Sequence, residues 1–66
     1  MPRSTREWAL RKLSASQKNI DWSIQHVMEV TEKYHKDHPD IAVNLLTLLE
    51  LLDSVKEGIG KVRSTI

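Results

Sequence analysis

Sixty-six residues, no cysteine and a net charge of +1 bound this chain closely. A chain of this length makes one domain, 1–66, and buries only about 60% of the surface its unfolded form exposes, so a lone fold is marginal. Lack of cysteine excludes disulfides and thiolate metal sites, leaving association as the usual remedy, and the near-neutral balance excludes a strong overall pull toward nucleic acid or an anionic membrane.

Residues 1–3 precede any regular element and are expected to be disordered. The stretch MPRSTREWALRKL has no apolar core of the kind a signal peptide carries, so none is expected. Ser4-Thr5-Arg6-Glu7 reads as a capping box, with the Ser4 hydroxyl accepting from the Glu7 amide and Glu7 reaching back. A first helix is predicted over about 5–36. Its positions 10, 13, 17, 20, 24, 27, 31 and 34 alternate steps of three and four and read Leu, Leu, Gln, Ile, Ile, Val, Thr, Tyr. That spacing belongs to helices packed side by side in a left-handed sense.

Ser14 to Asn19 are poor helix formers, and Ser14-x-x-Gln17 offers a second capping box. A three-helix bundle with a break near 14–16 is therefore the alternative. The unbroken seven-residue phase favours one continuous helix. Gln17 and Thr31 are polar at seam positions. They either lock the register of the helices or lie at the seam edge in contact with water, and the second reading is preferred.

Pro39 marks the next boundary, because the residue before a proline avoids the helical region. Asp37 or His38 is placed to cap a second helix, with Pro39 in its first turn and Asp40 at its positive end. This helix is predicted over about 39–62. Gly58 and Gly60 each cost roughly 1 kcal/mol inside a helix, so its last turns are expected to fray or stop there. Its seam positions 41, 45, 48, 52, 55, 59 and 62 read Ile, Leu, Leu, Leu, Val, Ile, Val. The short connection predicts an all-α fold, an antiparallel helical hairpin.

The second helix offers more apolar surface than one neighbour covers. At about 100° per residue, its leucines, Ile41 and Ala42 span an arc of roughly 220°. Two hairpins joined as a four-helix bundle would cover it, with Ala42, Leu45, Leu46, Leu49 and Leu52 as the expected homodimer interface. The charge distribution agrees. Residues 1–18 are net +4, residues 19–40 net −3, and residues 41–66 balanced, which favours self-complementary association. The longest apolar run, Ile41 to Leu52, is broken by Asn44, Thr47 and Glu50 and falls short of the ~20 residues of a membrane span. A cytoplasmic setting is expected.

Trp8 and Trp22 are fourteen residues apart and share one face of a continuous helix, roughly opposite its seam. Ala15 lies between them, His26 follows by one turn, and Arg11 and Lys12 flank the strip. Tryptophan and arginine are enriched at binding hot spots, so these six residues predict a surface for a larger protein partner. The plainer alternative is that both tryptophans pack on a second subunit or cap the bundle. A rival reading takes the basic first helix, with Arg3, Arg6, Arg11, Lys12 and Lys18 around Trp8, as a nucleic-acid surface. His35, Asp37, His38 and Asp40 crowd the turn but suit capping better than metal ligation, so no metal or cofactor is expected. No nucleophile–base pair, phosphate loop or carboxylate pair points to catalysis. These features together imply a small non-enzymatic regulator or adaptor of the kind found in bacteria and phages, acting as a homodimer.

Overall fold

Helix α1 spans Pro2–Tyr34 and helix α2 spans Pro39–Thr65. They fold back on each other as an antiparallel hairpin. The computed structural model describes residues 2–66, with side chains described from Thr5 onward. α1 begins at Pro2, three residues before the start expected from the capping box. Ser4, the cap residue in that expectation, has its side chain outside the described residues. Of residues 1–3, Met1 lies outside them, and the backbone of Pro2 and Arg3 is helical.

The turn follows from proline chemistry. His35 N–H still donates to the Thr31 carbonyl at 2.9 Å, and His38 N–H to the Tyr34 carbonyl at 2.9 Å. α1 has ended at Tyr34, and His38, with φ of −137° and ψ of 72°, stays outside the helical region that a residue before proline avoids. Pro39 occupies the first turn of α2, where its missing N–H costs nothing. His38 holds the cap position but makes no side-chain cap hydrogen bond. Its ring packs instead against Tyr34, centroid to centroid 5.4 Å.

α1 is continuous through Ser14 to Asn19, so the three-helix alternative does not hold. The serines are tolerated because Ser14 sits half-buried against α2, where tertiary packing outweighs weak propensity. α2 likewise runs through Gly58 and Gly60 to Thr65, past its expected end. Gly60 lies on the inner side of the helix, and a β-carbon built there would stand 3.5 Å from Gln17 Nε2.

The seam on α1 is the expected one as far as Thr31, with Leu10, Leu13, Gln17, Ile20, Ile24, Val27 and Thr31 all half-buried, whereas Tyr34, its expected last member, is exposed. On α2 it is rotated. Ala42 is buried, and Leu45, Leu49, Leu52, Lys56, Ile59 and Gly60 are half-buried, whereas Ile41, Leu48, Val55 and Val62 are exposed. Positions 45, 52 and 59 are common to both phases, so apolar spacing alone did not separate them. The hairpin selects the phase carrying Ala42, whose small size lets the helices approach, and Lys56, whose aliphatic stem lies along the seam while its ammonium reaches out.

A two-helix hairpin has almost no interior. Among the described residues Ala42 alone is buried, at 6% exposure. The molecule measures 55 × 15 × 10 Å, and its radius of gyration of 15.7 Å exceeds the roughly 11 Å of a compact chain this long. No helix among the described residues is long and apolar enough to cross a membrane.

Candidate interaction surface

The outer face of α1 carries both tryptophans. Trp8 and Trp22 are 56% and 63% exposed, pointing away from α2. One continuous helix places them roughly 40° apart around its axis and about 21 Å apart along it. Trp8, Arg11, Lys12 and Ala15 line one shallow concavity, and Trp22, Ser23, His26 and Val27 line another. The His26 ring meets Trp22 edge-on, with centroids 6.0 Å apart and planes at 67°. Ser23 and Val27 belong to the second concavity although sequence reasoning missed them. Val27 looks like a pure seam residue, and only the helix surface shows that its outer edge remains open.

The five residues expected at a dimer interface are divided by the fold. Ala42, Leu45, Leu49 and Leu52 face α1 within the hairpin. Leu46 stands outside the seam at 52% exposure. The seam is already held by the chain's own first helix, which the wide apolar arc of α2 concealed.

Gln17 is half-buried and bridges the helices, its Oε1 accepting from Arg63 Nη1. Thr31 Oγ1 donates to the Val27 carbonyl at 2.8 Å and so is satisfied within its own helix. Farther along, Lys56 Nζ and Asp21 Oδ1 pair at 2.5 Å. The hydrogen bond from Lys56 to Asp21, then the charge of Asp21, holds the ammonium above the usual lysine range. The folded state therefore favours the protonated lysine. The stability from this contact is present below the ordinary lysine value and fades as pH rises beyond it, so neutral solutions do not titrate it. Both partners are well exposed, and exposed pairs contribute little.

These cross-helix pairs set the register, with residue 19 level with residue 58. The fold thereby sorts charge along the rod. Its open half, residues 5–19 and 58–66, holds Arg6, Arg11, Lys12, Lys18, Lys61 and Arg63 against Glu7, a net +5. Its turn half, residues 20–57, holds Lys33, Lys36 and Lys56 against eight carboxylates, a net −5. Arg6 Nε also donates to the Ile66 carbonyl at 3.1 Å, tying the two basic ends together. The linear sequence hid this, because the third covering 41–66 is balanced only when its acidic start and basic end are averaged.

The two broad faces of the hairpin differ. Right-handed helices running in opposite directions turn in opposite senses when viewed from one end. The residues just before the seam positions therefore fall on the same face in both helices. On α2 this row is Ile41, Leu48, Val55 and Val62, with Leu51 beside it, all exposed. On α1 it is Ala9, Ser16, Ser23 and Val30. Neither row contains a charge. The opposite face carries Asp21, Glu32, Glu50, Asp53 and Glu57 with Arg11 and Lys18, beside the exposed Val43 and Leu46.

No protein-family model, curated protein or solved structure matches this chain.

Proposed function

We propose that this chain is a small non-enzymatic interaction module, a cytoplasmic regulator or adaptor that acts as a homodimer and docks on a larger protein. The observation that carries the docking reading is the pair of exposed tryptophans on the outer face of α1, each lining its own concavity. An exposed indole loses water-accessible area on binding at little cost in conformational entropy, and its N–H stays available to a polar partner atom. Arg11 and Lys12 beside Trp8 suit a partner with acidic groups at the rim, where charges guide encounter more than they hold the complex. The homodimer reading is supported by the near-absence of an interior in a single hairpin.

Trp8→Ala and Trp22→Ala should each lower capture of the partner in a pull-down from the source cell by at least tenfold, as loss of a hot-spot residue does. The circular dichroism spectrum and melting midpoint should stay unchanged, since neither indole packs against α2. Wild-type levels of capture by the double variant would end the docking reading.

The charge sorting favours a second reading, a nucleic-acid-binding hairpin dimer. The fold adds Lys61 and Arg63 to the basic residues of α1, so the open end is far more positive than the chain's net charge suggests. Phosphate binding of this kind weakens steeply with salt. Under this reading Arg11→Glu with Lys12→Glu abolishes retardation of RNA or DNA at low salt. No retardation by the wild-type protein under those conditions rejects it.

A further inference from the structure

The face built on these uncharged rows, and not the hairpin seam, is where a second copy belongs. We infer that two hairpins pack through the row Ile41, Leu48, Val55 and Val62, antiparallel, with the open end of each copy against the turn of the other. This deepens the homodimer reading above and rests on it.

Area supports self-association. A compact chain of 7.6 kDa exposes about 4,300 Å². This chain exposes 5450 Å². The excess, about 1,100 Å², is of the size that one partner of a standard interface contributes, about 800 Å².

The choice of face follows from what each side displays. Pairing through the opposite face would bring Asp53, Glu50 and Glu57 of both copies together. Pairing through the uncharged rows buries no ionic group, and the branched side chains of α2 interleave with those of its copy. A two-fold axis across the middle of the rod sets Leu48 against Val55 of the other copy, and Ile41 against Val62.

The orientation follows from charge. With that axis between Leu51 and Leu52, the antiparallel arrangement lays the net +5 open end of one copy over residues 32–45 of the other, where Glu32, Asp37 and Asp40 outnumber Lys33 and Lys36. The parallel arrangement would lay like halves together, which opposes association.

Four measurements test this in the full-length chain. Light scattering after size exclusion should give the mass of two chains at micromolar concentration. A monomer there overturns both this inference and the homodimer reading. Leu48→Glu should raise the dissociation constant at least about 100-fold, the size expected for a central contact, while Leu46→Glu on the opposite face leaves it within about threefold. Leu48→Glu adds a charge to a marginal hairpin, so cysteine pairing provides a milder check in a chain that has no cysteine of its own. Copies carrying Leu48→Cys should form disulfides with copies carrying Val55→Cys more readily than either pairs with itself. Dimers that persist in Leu48→Glu but are lost in Leu46→Glu, or cysteines that fail to cross-link, overturn the face and leave the homodimer standing. Finally, spin labels on Lys36→Cys should lie about 30 Å apart, since residue 36 is roughly eleven residues from the rod's middle at 1.5 Å each. Labels that nearly touch overturn the orientation.

Discussion

Leu49→Glu is expected to unfold the protein at room temperature, leaving the circular dichroism of a coil with no cooperative melt. Leu49 is half-buried in the seam, on the inner side of α2 between Leu45 and Leu52. A carboxylate there loses much of its hydration, and the facing α1 positions, Ile24, Val27 and Thr31, supply no cation. The loss of packed leucine adds to this, since deleting a core leucine typically costs about 2–5 kcal/mol. A domain of this length has only about 3–10 kcal/mol in total, and a hairpin with one buried side chain among its described residues lies at the lower end. The same change at Leu46, which stands in solvent, should alter stability by no more than about 0.5 kcal/mol. Periodicity alone makes the two leucines equivalent, so chemical denaturation of both variants reads the rotation of the seam directly. Equal destabilisation would mean that α2 packs in the other phase.

Replacing both glycines of α2 by alanine should raise the melting midpoint on the order of 5–10 °C. Neither glycine has a positive φ, so the backbone freedom of glycine is unused at both sites. A β-carbon at Gly58 meets nothing within 4 Å, and one at Gly60 makes ordinary contact with Gln17. The gain is the helix propensity difference, about 1 kcal/mol each, acting largely by restricting the unfolded chain. Thermal melts at one fixed protein concentration check it, because association also moves the midpoint. Gly60→Ala lowering the midpoint would show that the helices approach more closely there than 3.5 Å of clearance allows.

Much of this architecture was written locally. The alternating three-four spacing from Leu10 to Thr31 determined the inner face of α1, because a helix turns each such residue to the same side. His38-Pro39 determined where α1 stops, since the residue before a proline is strongly disfavoured in the helical region. Trp8 and Trp22 were readable as outward-facing for the same reason, once their phase opposite the seam was counted. Lack of cysteine and short length determined that one hairpin by itself would be marginal.

Other features arose only when the helices met. The apolar residues of α2 fill two overlapping phases. Choosing between Leu48 and Leu49 required knowing that Ala42 permits close approach on one side, which is a property of the pair of helices and not of either alone. Continuity through Ser14 was decided the same way, by what Ser14 packs against and not by its own propensity. The charge polarity of the rod belongs wholly to the tertiary structure. Lys61 and Arg63 are more than forty residues from Arg11 and Lys18 along the chain, and only the reversal at Pro39 brings them to the same end.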